Sequence, residues 1–264
     1  RATVVAHAPR DNSWRVLCER LPMAWLTISG SEAPLRCWLE LPSRPRSLVL
    51  VLPEVFGINS WMRDVAGQLV AAGHGVLVMP LFARTAPELD VGYDAAGLAE
   101  GRQHRDAVTA AGFQRDVDAV LAWLAQQSEL AGLPIAGLGF CFGGHLVWHL
   151  ATRVELLATA SFYGARVASF SPGGGAPTLE LLAKIPGRLL VWLGADDPLM
   201  PADEQQAISA ALKACDPSAQ RLQCRIAASA GHGFMCSHRS DFHQEAAEQG
   251  WRSLLQLLDE VAIA

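Results

Sequence analysis

A group of small residues around one cysteine is the feature that most constrains this chain. The segment Gly139–Gly143 (GFCFG) has the spacing of the G-x-S-x-G nucleophile elbow, with the thiol of Cys141 in place of a hydroxyl. In that turn a strand reverses sharply into a helix, and the glycines permit the close backbone approach that leaves the nucleophile exposed. An apolar segment, 133–138, precedes the turn, and Leu146, Val147 and Leu150 follow it at helical spacing. The stretch therefore predicts a strand, a sharp turn and a helix whose N-terminus favours a thiolate.

Two simpler interpretations of this stretch compete with the elbow. A free cysteine is among the most often buried residue types, and it commonly does no more than fill the core. Gly137 and Gly139 also begin a G-x-G-x-x-G phosphate-binding pattern, but Phe142 occupies the sixth position and the stretch lies in mid-chain. Dinucleotide binding is therefore disfavoured, and the choice between a core thiol and a nucleophile depends on the rest of the chain.

The other apolar segments indicate an α/β protein. Continuous apolar runs at 47–53 and 75–80 have the pattern of parallel strands covered on both faces. The segments 157–164 and 188–194 also predict strands, and helical stripes separate these segments. Two segments with β-like alternation predict an antiparallel hairpin at a sheet edge, 25–28 and 35–41, and alternation at 222–226 predicts the last strand. We predict a mostly parallel, doubly wound central sheet flanked by helices. It would form a single domain over residues 25–264, after an N-terminal extension of residues 1–24.

Two loops interrupt this pattern. Residues 85–103 contain one proline and three glycines, and we interpret them as an irregular segment that forms either a lid over a site or a plain surface excursion. The segment Ser171–Pro177 is the one low-complexity stretch, and its composition is typical of a flexible loop.

Composition excludes several classes of protein. Hydrophobic residues make up 51% of the 264 residues, and the net charge of −5 offers no basic footprint for nucleic acid or an anionic membrane. No apolar run reaches 18 residues, and residues 1–23 lack the apolar core of a signal peptide. The six cysteines form no C-x-x-C pair, which disfavours both a zinc site and a disulfide scaffold. We expect a cytoplasmic protein without cofactor, metal, nucleic-acid partner or membrane partner; no oligomeric state follows from the sequence.

Two residues beyond the elbow complete a possible nucleophilic site. In hydrolases with this turn the order along the chain is nucleophile, acid and histidine, each on a loop after a strand. Cys141, Asp197 and His232 follow that order. A thiol needs a base to become a thiolate near neutral pH, and the base needs a carboxylate to fix its tautomer. We predict that these residues form a triad, with Asp196 as the competing acid.

The other candidate site residues differ in where they lie relative to the elbow and the predicted sheet. His145 and His149 follow the elbow and are interpreted as helix-face residues, and His74 lies in a turn at the opposite end of the sheet. Glu54 ends the strand 47–53, at the sheet edge where open α/β sheets place their ligand crevice. Taken alone, Glu54 would be a solvated loop carboxylate or a helix-dipole partner. Tyr163 ends the strand 157–164 on the same side of the sheet as the elbow.

Together these segments resemble the dienelactone hydrolase (carboxymethylenebutenolidase) family of α/β-hydrolases. The resemblance spans roughly residues 25–260 and rests on six segments: 53–59, 81–84, 139–144, 163–164, 194–201 and 231–234. It implies an α/β-hydrolase fold and selects Asp197, the last residue of G-x-x-D, as the acid. It also implies that Glu54 interacts with the thiol and helps to deprotonate it when substrate enters, as a buried carboxylate of raised pKa can do.

The resemblance extends to substrate binding. It implies an oxyanion hole made by the backbone N–H groups of Val55 and Phe142, and a substrate-binding role for Tyr163. Family substrates carry a carboxylate held by two arginines. Arg84 matches the first, while the second falls on Cys236, so we expect Arg239 to substitute for it.

The reaction implied is the hydrolysis of an activated, anionic lactone or ester through a thioester on Cys141. The altered clamp keeps open a hydrolase of the same fold that acts on a different, less acidic ester or thioester. A protein of another class, noncatalytic and redox-responsive through an oxidisable Cys141, is the third hypothesis. The ordered triad argues against it, because redox sensing needs no histidine and carboxylate in series.

Overall fold

A sheet of eight strands forms the centre of the computed structural model, which describes residues 23–262. The strands are β1 (Met23–Ile28), β2 (Leu35–Glu40), β3 (Leu48–Leu52), β4 (Gly75–Val78), β5 (Ile135–Phe140), β6 (Leu156–Phe162), β7 (Arg188–Gly194) and β8 (Leu222–Ala227). They lie in the order β1-β2-β4-β3-β5-β6-β7-β8. The pairs β1/β2 and β2/β4 are antiparallel, and the other pairs are parallel. The predicted edge hairpin and mostly parallel sheet are therefore confirmed.

Helices cover both faces of the sheet. They are α1 (Ser60–Ala71), α2 (Ala95–Arg105), α3 (Ala110–Leu124), α4 (Phe142–Leu150), α5 (Ala202–Cys215) and α6 (Gln244–Ala262), with a 3₁₀ helix at Thr178–Lys184. Strand β3 shows why the sheet is doubly wound, because its five residues are all buried and alternate between two apolar cores. Leu48, Leu50 and Leu52 pack into one core, and Val49 and Val51 pack into the other. A strand that is apolar on both faces can only be stable between two helical layers.

Helix α2 corrects the expectation that residues 85–103 are irregular. Asp94 caps it by accepting a hydrogen bond from Gly97 N–H at 2.7 Å. Two glycines lower the helix propensity of this segment and conceal it in the sequence. Gly101 has a packing reason, because a Cβ there would lie 2.1 Å from the carbonyl oxygen of Val55. The glycines thus permit the helix to press against the loop that follows β3.

The predicted extension, residues 1–24, lies outside the described residues apart from its last two, which begin β1. Within residues 23–262 no helix combines the length and the apolar composition needed to cross a membrane.

Candidate active site

Cys141 occupies a sharp turn between β5 and α4. Its φ of 53° and ψ of −116° lie outside the usual regions for an L-residue, and its N–H donates to the carbonyl of Phe162 at 3.1 Å. The flanking glycines make the turn possible. A Cβ at Gly139 would lie 2.1 Å from the carbonyl oxygen of Gly143, and a Cβ at Gly143 would lie 2.2 Å from that of Leu52. The predicted elbow geometry is therefore present, and the thiol stands at the N-terminus of a helix.

His232 and Asp197 lie in series with the thiol. The Nε2 atom of His232 is 3.0 Å from Cys141 Sγ, and its Nδ1 atom is 2.8 Å from Asp197 Oδ2. The other oxygen of Asp197 accepts from the N–H of Leu199 at 2.8 Å, so the carboxylate is held on both sides. Asp196 is exposed, whereas the side chain of Asp197 is fully buried. The structure thus brings together the three residues predicted from their order and places Asp197 against the imidazole.

The charge on the imidazole is stabilised by its two neighbours. Burial alone would lower the pKa of His232, but the thiolate of Cys141 and the carboxylate of Asp197 outweigh burial and raise it to about 10. The arrangement therefore favours a protonated His232 imidazole at neutral pH. A thiolate beside an imidazolium is the reactive form of a cysteine nucleophile.

A pocket of about 550 Å³ opens above the thiol. Cys141 and His232 lie in its wall, together with Val55 and Phe142. The N–H groups of Val55 and Phe142 have no acceptor in the loops and turns of the described chain, and Phe142 is the first residue of α4, where N–H groups are free of helical bonds. Two donors in the pocket wall beside a nucleophile can stabilise an oxyanion.

Glu54 precedes Val55 of the pocket wall and is paired with Arg239, which also lines the pocket. Its side chain is 1% exposed, and Oε1 accepts from Arg239 Nη1 at 3.1 Å. Oε2 is buried and has no hydrogen-bond partner in the described chain. Burial raises the pKa of Glu54, against the opposing charge of Arg239. In this structure the glutamate therefore contacts the arginine that the sequence assigned to substrate, while the thiol contacts His232.

Arg84 does not fit the role of substrate ligand. It binds both carboxylate oxygens of Asp116 at 2.8 and 3.0 Å and Oε2 of Glu32 at 2.8 Å. It also donates to the carbonyl of Gly112 at 3.2 Å and to the hydroxyl of Ser31 at 3.3 Å. These contacts occupy nearly the whole guanidinium, and Arg84 is absent from the pocket wall. Its partners tie the β1–β2 hairpin to α3, which is a structural task.

We expect Arg84→Met to lower the free energy of unfolding by roughly 2–3 kcal/mol, because Asp116 is 3% exposed and would lose its counter-charge. This loss of stability is smaller than that expected for breaking a fully buried ion pair, because Arg84 is 31% exposed. Arg115→Met is the matched control, since Arg115 pairs with the same Glu32 at the surface and should contribute less than about 1 kcal/mol. Urea unfolding measures both. A selective rise in KM for anionic substrates, with unchanged stability, would restore Arg84 as a substrate ligand.

Tyr163 and Cys236 are buried instead of facing substrate. Both are fully inaccessible. The Tyr163 ring packs on the rings of His232 and Phe234, each with centroids 5.2 Å apart. The structure therefore gives Tyr163 a place behind the imidazole, not the predicted contact with substrate. Burial raises the pKa of Cys236 to about 12, so the position matching the second arginine holds a neutral thiol in the core.

Three pocket residues were missed by the sequence interpretation. His145, interpreted in the sequence as a helix-face residue, lines the pocket one turn after the nucleophile. Its backbone N–H donates to the carbonyl of Cys141 at 3.0 Å. Burial lowers its pKa to about 4, so the ring is neutral. Arg102 and Arg166 also line the pocket. The spacing of four residues from Cys141 was a usable signal for His145, whereas nothing distinguished the two arginines from solvated surface residues.

A metal centre has no support in the described residues. Between residues 23 and 262 no three histidine, cysteine or carboxylate side chains are grouped so that they could hold a metal ion.

Comparison with known proteins identifies the family. A Synechocystis sp. protein provisionally named carboxymethylenebutenolidase is 31% identical over 210 residues, which cover 80% of this chain and 84% of that protein. Two crystal structures share the fold. A provisionally named dienelactone hydrolase from Klebsiella pneumoniae has a TM-score of 0.75 at 23% identity and covers 89% of this chain and 98% of that one. A dienelactone hydrolase-like promiscuous phosphotriesterase from metagenomic libraries has a TM-score of 0.72 at 25% identity, with coverage of 90% and 98%.

These likenesses confirm the α/β-hydrolase fold expected from the sequence. The sequence profile of one family matches residues 35–262, which span all but the first of the eight strands. The chain therefore belongs to the dienelactone hydrolase family, and relatives such as the Synechocystis protein carry the provisional name carboxymethylenebutenolidase.

Proposed function

We propose that this protein is a cysteine-dependent hydrolase of an activated lactone or ester. The observation that carries the proposal is the hydrogen-bonded series Cys141–His232–Asp197. His232 Nε2 lies 3.0 Å from Cys141 Sγ, His232 Nδ1 lies 2.8 Å from Asp197 Oδ2, and both Cys141 and His232 line the pocket. Membership of a hydrolase family narrows the chemistry to ester-type bonds. A noncatalytic redox thiol would need neither the histidine nor the buried carboxylate.

The reaction begins with attack of the Cys141 thiolate on the carbonyl carbon. The oxyanion of the tetrahedral intermediate is stabilised by the N–H groups of Val55 and Phe142. The carbon–oxygen bond of the ester then breaks, and the departing enolate or alkoxide takes its proton from the His232 imidazolium. Neutral His232 next removes a proton from water, which attacks the thioester. Collapse of the second intermediate releases the carboxylic acid and restores the thiolate.

Glu54 can assist by exchanging partners. Its raised pKa and its unpaired Oε2 describe a buried carboxylate that can accept a second hydrogen bond. If an anionic substrate draws Arg239 away, Glu54 loses its counter-charge and binds a proton more readily, so it can take the proton of any Cys141 that is still a thiol. Arg239 lines the pocket, so a substrate can reach it.

The substrate assigned first is an anionic lactone of the dienelactone type, in keeping with the family and with the arginines of the pocket wall. A second candidate is a less acidic ester or thioester. It is favoured by one specific observation, namely that both family positions for the carboxylate clamp are unusable here. Arg84 is saturated by Asp116 and Glu32, and Cys236 is buried.

The test is steady-state hydrolysis of a cis or trans dienelactone beside a neutral p-nitrophenyl ester of similar size, with and without prior alkylation by iodoacetamide. We expect hydrolysis of the dienelactone with the higher kcat/KM, and its loss on alkylation. Alkylation-sensitive turnover of the neutral ester alone would move the substrate to the second candidate. Absence of both activities in folded, reduced protein would count against a lactone or ester hydrolase.

A further inference from the structure

Two arginines of the pocket wall have no carboxylate partner in the described chain. Arg105 is paired with Asp106, and Arg239 is paired with Glu54 and Asp241. Arg102 and Arg166 line the same pocket and are exposed. Neither of them makes an ion pair or a side-chain hydrogen bond to residues 23–262. Two guanidinium groups are therefore free to bind a ligand that enters the pocket.

The helix that carries Arg102 packs against the loop after β3. Gly101 packs directly on the carbonyl of Val55, where a Cβ would lie 2.1 Å from the oxygen. The N–H of that same Val55 is one of the two proposed oxyanion donors. The backbone of α2 at Arg102 is therefore held next to the loop that contains Val55, and the Arg102 side chain contributes to the pocket wall.

Arg166 is anchored in a parallel way from the other side of the pocket. The preceding carbonyl, that of Ala165, accepts from His145 Nδ1 at 2.8 Å, and His145 lies one turn after the nucleophile. The Nε2 atom of His145 bonds to the buried hydroxyl of Thr178 at 2.7 Å, which fixes the ring. Arg166 has a left-handed φ of 62°, and its guanidinium stands 4.6 Å from the centre of the Phe170 ring. The Phe170 ring therefore supports the Arg166 guanidinium, and Arg166 contributes to the pocket wall.

The surroundings of the two arginines define the ligand. The wall of the pocket that they share is largely apolar, with Leu98, Phe142 and Leu199 among its residues. We propose that Arg102 and Arg166 form an anion subsite for substrates that carry a terminal carboxylate on a short apolar chain or ring, separated from the scissile carbonyl. This subsite replaces the clamp lost at Arg84 and Cys236. The substrate assignment rests on the proposed function, whereas binding of the anion does not require turnover.

The first experiment measures binding without catalysis. The rate at which iodoacetamide alkylates Cys141 is followed in the presence of adipate or of its neutral diamide. Adipate should slow alkylation and the diamide should not. Arg102→Gln and Arg166→Gln should each weaken protection by roughly tenfold, because each removes charge-assisted hydrogen bonds to the carboxylate. Arg252→Gln removes the same charge from an exposed position of α6 outside the pocket and should leave protection unchanged.

The second experiment compares hydrolysis of mono-p-nitrophenyl adipate with that of p-nitrophenyl hexanoate, which has a methyl group in place of the carboxylate. Each of the two pocket variants should lower kcat/KM for the adipate about tenfold and leave the hexanoate within about twofold. Equal effects on both esters, or protection that survives in both variants, would overturn the subsite. Protection by adipate in a protein that hydrolyses neither ester would retain the subsite and reject the proposed function.

Discussion

Replacement of Cys141 by alanine is expected to lower kcat for ester hydrolysis by roughly 10⁴- to 10⁶-fold, the loss typical of removing the nucleophile of a triad. The thiol lies in the pocket wall and is only partly buried, so removing Sγ leaves no sealed cavity. We therefore expect the free energy of unfolding to change by less than about 1 kcal/mol. Single-turnover hydrolysis and urea unfolding, measured on the same preparation, separate the two effects.

Cys215→Ala is the matched control, because Cys215 is also a free thiol but is exposed at the end of α5. It should leave turnover unchanged, and alkylation should still inactivate it. Retained turnover in Cys141→Ala would remove that thiol as the nucleophile and would shift the search to another group in the pocket. Loss of turnover in a folded Cys215→Ala variant would mean that removing a thiol far from the elbow is enough to stop hydrolysis. The effect of Cys141→Ala would then not identify the nucleophile.

Much of the fold could be predicted because its strands depend on local pattern. β3 and β4 are fully buried and read as continuous apolar runs, whereas the β1–β2 hairpin at the edge alternates. The elbow could also be predicted from the sequence. Its glycines at 139 and 143 are required by contacts with residues near Cys141 and with the adjacent strand β3. Asp197 and His232 followed from their order after predicted strands.

Other features depend on contacts that no local pattern records. The role of Arg84 is decided by Asp116 and Glu32, which are 32 and 52 residues away in the chain. Helix α2 was not predicted because it contains Gly101, a residue of low helix propensity. That glycine is needed because the loop after β3 packs against it. Tyr163 was placed at the correct sheet edge, but its left-handed φ of 41° accompanies a ring packed into the core behind His232. The direction in which a side chain points at the end of a strand depends on tertiary contacts, which the local sequence pattern does not contain.

Asp197→Asn is expected to reduce kcat/KM by roughly 10³- to 10⁴-fold. An amide cannot stabilise the imidazolium by charge, and its NH₂ group can turn Nδ1 of His232 into an acceptor, which gives the wrong tautomer at Nε2. Asp196→Asn is the matched control, because Asp196 is the adjacent residue, carries the same charge and is exposed. We expect it to stay within about twofold of the parent. Equal losses in both variants would show that Asp197 acts through the loop and not through His232.

The pH profile gives an independent readout of the same contact. Because the folded-state pKa of His232 is raised to about 10, its imidazolium stabilises the folded protein fully below the unfolded value near 6.5, and that contribution is lost as the pH rises through about 10. Activity that needs the thiolate–imidazolium pair should decline over the same alkaline range. Burial lowers this pKa while Asp197 helps to raise it, so Asp197→Asn should move the alkaline limb of kcat/KM to lower pH. An unmoved limb, together with a large fall in rate, would mean that the carboxylate orients the ring without stabilising its charge.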